Sequence, residues 1–487
     1  MTFIGRDREL ASLKKELDGN GPSLLIVYGR RRVGKSRLLQ EAGAGRRLIY
    51  FQASRETSTL NLEAFKRAIA TVIGEDPLLN GITDWLAILH YLAKAAESYP
   101  GLFVIIDEFS YLSDAEPALP SLMQKFWDSG AQKRGRLKLA LCGSIIFSME
   151  ALLAERNPLY GRQTGIFDIH PLSVRETMTF FPKYSAAEQI MVYAIFGGIP
   201  YYLEACDPSA SLQQNVIDLL FSRNGRLFEE PNNILQSELR EVKVYASIVH
   251  SIADGCREVG EIKNRVFGAQ AGVSISPYMD KLQSMRIVQT TRSLDAAPKA
   301  RNNRFVISDR LTAFWHRFVR PNAESITFGF GEDVWKLQVE PYLSEFMGPA
   351  FEDICREHAR LYAQEMLSSP AQIVGQIWSG DFDIDIVGLL LDRGAFFGEC
   401  KWTSSAVGEA NLSELIARSQ RTAFGRDAKN RTYLLYSKSG FTESLKIKAD
   451  ADPSLVYLLT PERILGVSES SKGRTKPKAK VSRAKKG

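Results

Sequence analysis

Residues 29–36 read Gly-Arg-Arg-Arg-Val-Gly-Lys-Ser, between the apolar run Leu24-Leu25-Ile26-Val27-Tyr28 and a helix-forming run that begins Arg37-Leu38-Leu39-Gln40-Glu41. No other stretch of the 487 residues constrains the fold so tightly. The pattern G-x-x-x-x-G-K-S after a strand and before a helix demands a tight loop whose backbone N–H groups converge, and Gly29 and Gly34 permit that path. The helix that follows turns its N-terminus, with unpaired N–H groups and the positive end of its dipole, toward the same point. Such a loop cradles a nucleoside triphosphate, ATP by expectation, with Arg30, Arg31, Arg32, Val33 and Arg37 forming the rest of the cradle. Lys35 reaches the β- and γ-phosphates, and the Ser36 hydroxyl ligates Mg²⁺.

A second segment fits the first. Leu102-Phe103-Val104-Ile105-Ile106 is an unbroken apolar strand of the kind buried in parallel sheets, and it ends in Asp107-Glu108. Acids at the carboxyl end of such a strand sit where α/β sheets bind ligands. Asp107 there would hold Mg²⁺ through water. Glu108 would orient or deprotonate the attacking water, because phosphoryl transfer needs positioning and charge neutralisation above all. Strands expected at 48–51 and 137–142 alternate with helical periods at 9–17, 60–73, 84–97 and 119–129. That alternation predicts an α/β fold with a doubly wound, mainly parallel sheet. Ser144, just past the 137–142 strand, stands where a hydroxyl can sense the γ-phosphate. Arg162, in Asn157-Pro158-Leu159-Tyr160-Gly161-Arg162, either offers a forked charge to a transition-state phosphate or is an ordinary surface cation.

The length suggests roughly three domains. Its apolar runs are strand-length, far short of the ~20 residues of a membrane helix, so no membrane is expected as a partner. The N-terminus has no basic-then-apolar signal. Five scattered cysteines without C-x-x-C spacing argue for a reducing cytoplasm and against structural zinc. Net charge is +6, yet residues 468–487 hold eight Lys and Arg against Glu469, leaving the rest nearly neutral. This tail, rich in Ser, Pro and Gly, is expected to be disordered, either an arm for nucleic-acid phosphates or a solubilising end.

Beyond Pro171 the pattern turns helical. Residues 238–309 read as a winged helix: helices at 242–253 and 261–266, a third ending at Met285, then strands at 287–291 and 304–307 around a loop with Lys299, Arg301 and Asn302. Such a third helix can enter a major groove. Here it offers Ser276, Tyr278, Lys281 and Gln283 with a single cation, so protein contact and DNA readout both stay open.

Near the C-terminus, residues 382–391 and 395–402 flank the turn signal Asp392-Arg393-Gly394. Because side chains alternate along a strand, Asp383 shares a face with Asp385, and Glu399 with Lys401. If the register joins these faces, carboxylates and a lysine converge where a divalent cation could sit beside a phosphodiester. Glu352, upstream after Phe351, could add another carboxylate. The alternative is a solvated sheet face.

Together these motifs resemble the archaeal-type ATPases of the STAND/AAA+ superfamily fused to a domain that resembles PD-(D/E)XK nucleases. Carrying the resemblance are Phe3-Ile4-Gly5-Arg6 with Glu9, residues 29–36, Ile105–Phe109, Asn157–Arg162, Gly197-Gly198-Ile199-Pro200-Tyr201 and Ser308-Asp309-Arg310-Leu311. The resemblance implies a P-loop ATPase core at 1–168, a helical lid at 169–237, a winged helix at 238–320 and a restriction-endonuclease-like α/β domain at 321–465. It implies that Gly5 and Arg6 line the adenine side and that Pro200 packs toward the nucleotide from the lid. Arg162 becomes an arginine finger, supplied by a neighbouring subunit in a homo-oligomer. Asp385, Glu399 and Lys401 become a nuclease core, with Glu352 as the helical acid and Asp385, Glu399 and Glu352 as metal ligands. The expected activity is ATP hydrolysis controlling a Mg²⁺-dependent action on nucleic acid, DNA first. Its rivals are a signalling scaffold that binds without cleaving, and a transcription regulator.

Overall fold

Seven consecutive buried residues, Ser23–Gly29, form the interior strand β1 of the first sheet, between the strand at Lys138–Gly143 and the edge strand at Gly165–Ile169. The structure, a computed structural model, describes residues 3–133, 135–268, 273–296, 303–379 and 381–467. Two compact units divide it: Met1–Lys183 with Met191–Phe346, and Tyr184–Ile190 with Met347–Gly487. Residues 321–346 thus fall in the first unit.

Around β1 run β2 (Leu48–Gln52), β3 (Phe103–Asp107), β4 (Lys138–Gly143) and β5 (Gly165–Ile169), in the order β2-β3-β4-β1-β5. All four pairings are parallel. Alternation along each strand builds two cores. Leu24, Ile26, Val104, Ile106, Leu139 and Leu141 pack on one face with residues from α3 (Ser58–Ile73), α4 (Trp85–Ser98) and α5 (Leu119–Asp128). Leu25, Val27, Phe103, Ile105 and Ala140 pack on the other with Leu13 and Leu17 of α1 (Asp7–Asp18) and Leu38 and Leu39 of α2 (Lys35–Ala42). Helices on both faces of a parallel sheet are the doubly wound arrangement that the alternating pattern predicts. β5 lies outside that pattern. It is a half-exposed edge strand with an aspartate in it, so no apolar run marks it.

Further along the first unit lie α6 (Glu230–Glu238), α7 (Val242–Ala253), α8 (Val259–Phe267) and α9 (Ser276–Ser284). The antiparallel pair β6 (Val288–Thr291) and β7 (Arg304–Ile307) follows. Ile248, Ile252, Ile262, Leu282 and Phe305 form a separate small core for them. Lys299, Arg301 and Asn302 lie outside the described residues, as does the 468–487 tail. The short helix α10 (Arg310–Phe314) is capped by Asp309, whose Oδ1 accepts from the Thr312 N–H at 2.8 Å.

The second unit holds most of a long helix, α11 (Leu343–Leu367), and a mixed five-stranded sheet. β8 (Ala371–Trp378), β9 (Asp383–Leu390) and β10 (Ala395–Lys401) pair antiparallel. β11 (Arg431–Ser437) and β12 (Val456–Leu459) then add in parallel, and α12 (Glu409–Arg421) lies between β10 and β11 in sequence. The turn between β9 and β10 falls at Asp392-Arg393-Gly394, where Arg393 takes φ 70° and the Gly394 N–H donates to Asp392 Oδ1 at 2.9 Å.

Candidate functional site

The P-loop runs from the end of β1 into α2. Gly29 adopts φ 151°, and a Cβ there would stand 2.2 Å from the Ile169 carbonyl oxygen, so only glycine allows the loop to leave beside β5. Gly34 has φ 93°, and a Cβ on it would lie 3.7 Å from Pro200 Cγ, which puts Pro200 against the loop. Lys35 is buried and donates to the carbonyls of Gly29 at 2.9 Å and Arg30 at 3.1 Å, curling over its own loop. The Ser36 hydroxyl donates to Asp107 Oδ2, which also accepts from the Tyr50 phenol at 2.7 Å. Burial, then Asp107, pushes the Tyr50 hydroxyl above its ordinary pKa; the same two causes lift the buried Cys142 thiol well above its own. Glu108, in the left-handed region at φ 51°, accepts from Ser144 Oγ at 2.9 Å. Lys35, Ser36, Asp107, Glu108 and Ser144 thus gather at the carboxyl ends of β1, β3 and β4.

The loop's arginines face other parts of the first unit. Arg30 and Asp309, each at least 94% buried, form a short ion pair across 279 residues of sequence. Burial alone would lower the Arg30 pKa, but Asp309 outweighs it and raises it. Burial opposes ionisation of Asp309 too, and Arg30 holds that carboxyl below the usual range. Arg30 Nη2 is buried with no hydrogen-bond partner among the described residues. Arg32 pairs with Glu230 of α6 and lies 4.2 Å over the Tyr201 ring. Burial raises the Glu238 pKa against the opposing pull of Lys281, Arg30, Arg31 and Lys35.

Arg6, expected to line the adenine side, braces the loop against the end of β5. Its guanidinium donates to the carbonyls of Val33 at 2.8 Å and His170 at 2.6 Å, and its backbone N–H to Glu176 Oε1 at 2.7 Å. Gly5, at φ 68°, sits against Glu176 as well. Arg37 is exposed on α2. Arg162 does not hydrogen-bond to the P-loop group: it grips Asp128 with two bonds of 2.8 Å and donates to the carbonyls of Pro158 and Tyr160.

In the second unit the paired register of β9 and β10 ends at Ile386 and Gly398, and the next positions are Asp385 and Glu399. Asp385 Oδ2 accepts from the Cys400 N–H at 2.8 Å. Glu399, 5% exposed, meets Lys401 at 2.6 Å through Oε1 and Arg418 of α12 at 2.9 Å through Oε2. Arg418 also donates to the Asp383 carbonyl at 2.9 Å. Glu352 of α11 lies 3.7 Å from Arg356, which donates to the Asp385 carbonyl at 2.8 Å. Burial, then Glu352 and Glu399, lifts Asp385 to about 7. Asp385, Glu399, Lys401 and Glu352 therefore share one network, whereas Asp383 is exposed at its edge. Among the described residues no group of three or more His, Cys, Asp or Glu side chains is arranged to hold a metal ion. Both oxygens of Glu399 face cations of the chain itself, so a divalent cation on this carboxylate would have to displace Lys401 or Arg418. Tyr50, Glu230 and Arg418 have no functional signature in the sequence, and Asp309, part of a motif that carries the resemblance, has none that points to Arg30. Each reaches its site from a distant segment, and no local spacing marks it.

A five-stranded parallel sheet in this order, with a phosphate loop after β1 and Asp-Glu at the end of β3, one strand removed from it, defines a P-loop ATPase. Residues 3–206 match the family described as an ATPase domain predominantly from Archaea. Residues 315–413 match one described as "Archaea bacterial proteins of unknown function". The chain belongs to the family of an uncharacterized protein of Methanocaldococcus jannaschii, with 30% identity over 405 residues, 82% of this chain and 87% of that one. Among solved structures it is similar to a Walker-type ATPase of Pyrococcus abyssi: 20% identity, 65% of this chain and 96% of that one, TM-score 0.49. For the ORC2 protein of Aeropyrum pernix the figures are 15%, 66%, 94% and 0.43. Among the described residues no helix is long and apolar enough to cross a membrane.

Proposed function

We propose that the first unit binds and hydrolyses ATP and that its nucleotide state controls a second unit that acts on nucleic acid, DNA first. The observation that carries this reading is the convergence of Lys35, the Ser36–Asp107 pair and the Ser144–Glu108 pair at the mouth of one parallel sheet. The buried Arg30 Nη2 and the Lys35 ammonium are donors suited to phosphate oxygens. A hydroxyl beside a carboxylate, Ser36 with Asp107, is a donor set that fits Mg²⁺, which supplies charge neutralisation when bound with ATP. Asp107 then holds its carboxylate in place, and Glu108 takes or orients the proton of the attacking water while Ser144 keeps that carboxylate aimed. Arg162, committed to Asp128 in its own chain, suits a finger presented to a neighbouring copy in a homo-oligomer. Three helices and a two-stranded sheet within 242–307 support a winged-helix module in the first unit.

In this reading the second unit is nuclease-like, resting on Asp385, Glu399, Lys401 and Glu352 in one network. A STAND-type scaffold that binds partners or DNA without cleavage is the second reading. One observation favours it: Lys401 and Arg418 already claim Glu399. The full chain, given ATP with Mg²⁺ or Mn²⁺ and labelled DNA or RNA, separates the two. Nicking that Glu399→Gln abolishes supports the first. ATP turnover with no cut on any substrate leaves the second, and no turnover at all defeats both.

A further inference from the structure

Three oxygens meet beside the P-loop. The Ser36 hydroxyl and the Tyr50 phenol both donate to Oδ2 of Asp107, the phenol at 2.7 Å, while Oδ1 accepts from the Glu108 N–H at 2.9 Å. The sheet makes this contact possible. β2 pairs parallel with β3 so that Gln52 stands beside Asp107, and Tyr50, two residues back, projects from the same face of β2 as Gln52. A phenol is long enough to span that offset. With Oδ1 fixed by backbone and Oδ2 by Tyr50, the carboxylate keeps its orientation even when the Ser36 hydroxyl turns its oxygen elsewhere.

We propose that Tyr50 is a positioning residue for the Mg²⁺ of the Mg–ATP complex: its phenol holds the Asp107 carboxylate turned toward Ser36. The role rests on the ATP-hydrolysing reading of the first unit. A half-buried tyrosine whose hydroxyl merely finds an acceptor would add stability without touching metal dependence, and that difference can be measured.

The experiment uses the full chain and Tyr50→Phe, which keeps the ring and removes one oxygen. Binding of a fluorescent ATP analogue is followed in EDTA and through a Mg²⁺ titration, with phosphate release measured across the same titration. The proposal expects unchanged affinity in EDTA and a Mg²⁺ midpoint raised about tenfold in both readouts, the scale of one lost hydrogen bond to a charged group. Turnover should recover at saturating Mg²⁺. An unchanged midpoint overturns the proposal. Equal weakening with and without Mg²⁺ also overturns it, because Tyr50 would then support the loop as a whole. If the wild-type chain binds no nucleotide in either condition, the ATPase reading itself fails, and the role of Tyr50 with it.

Discussion

In the first unit Lys35 spends its charge on carbonyl oxygens of its own loop, whereas in the second Lys401 spends its charge on Glu399, which Arg418 also holds. Carbonyl dipoles release an ammonium to an incoming phosphate at little cost. A buried carboxylate with two cations on it gives up neither so readily, because separating a desolvated pair leaves an uncompensated charge. One site is therefore open to a charged ligand as it stands. The other is balanced within itself, and a divalent cation would have to displace Arg418 or Lys401.

The strongest way to break this contrast is Lys35→Ala. ATP turnover, read as phosphate release, should fall by at least about a hundredfold, as when a main electrostatic contact to the reacting group is lost. A rate near that of wild type would leave the P-loop without its role. Arg30→Ala asks whether the first unit is as free of costly ion pairs as its lysine. It strands Asp309 in the interior and should cost about 3 kcal/mol in urea unfolding.

Asp385→Asn probes the balance in the second unit through pH. The folded value of about 7 lies above the ordinary 3.8, so between these values the folded chain keeps a proton that the unfolded chain has lost. That contribution to stability is present at the acid end and disappears as pH rises through 7. The unfolding midpoint of wild type should fall across the window, and Asp385→Asn should flatten that part of the slope and raise the midpoint at pH 8. The smallest effect belongs to Arg162→Ala. Its pairing with Asp128 is at the surface, so the unfolding midpoint should hold. A fall in turnover that appears only in assembled protein would mark it as a finger acting between copies.

How much of the molecule is legible in its sequence follows from distance along the chain. Lys35 and Ser36 belong to one contiguous motif, and Asp107-Glu108 ends an apolar run, so the residues alone reveal both. The hairpin of β9 and β10 is equally plain, because turn chemistry and alternation are local. For Arg6 no local pattern announces its partners: its positive φ and its grip on Val33 and His170 depend on the end of β5 being in place. Arg418 is 19 residues beyond Glu399 on a helix face whose register against β10 no local pattern encodes. β11 and β12 escape a sequence reading because neither is framed by a turn signal as clear as Asp392-Arg393-Gly394.

The clasp between Arg30 and Asp309 joins positions 279 apart in a chain of 487, closing more than half of the polypeptide into a ring fastened at the phosphate loop. A shift of the loop is felt at the start of α10 directly, without travelling through the hundreds of residues in between.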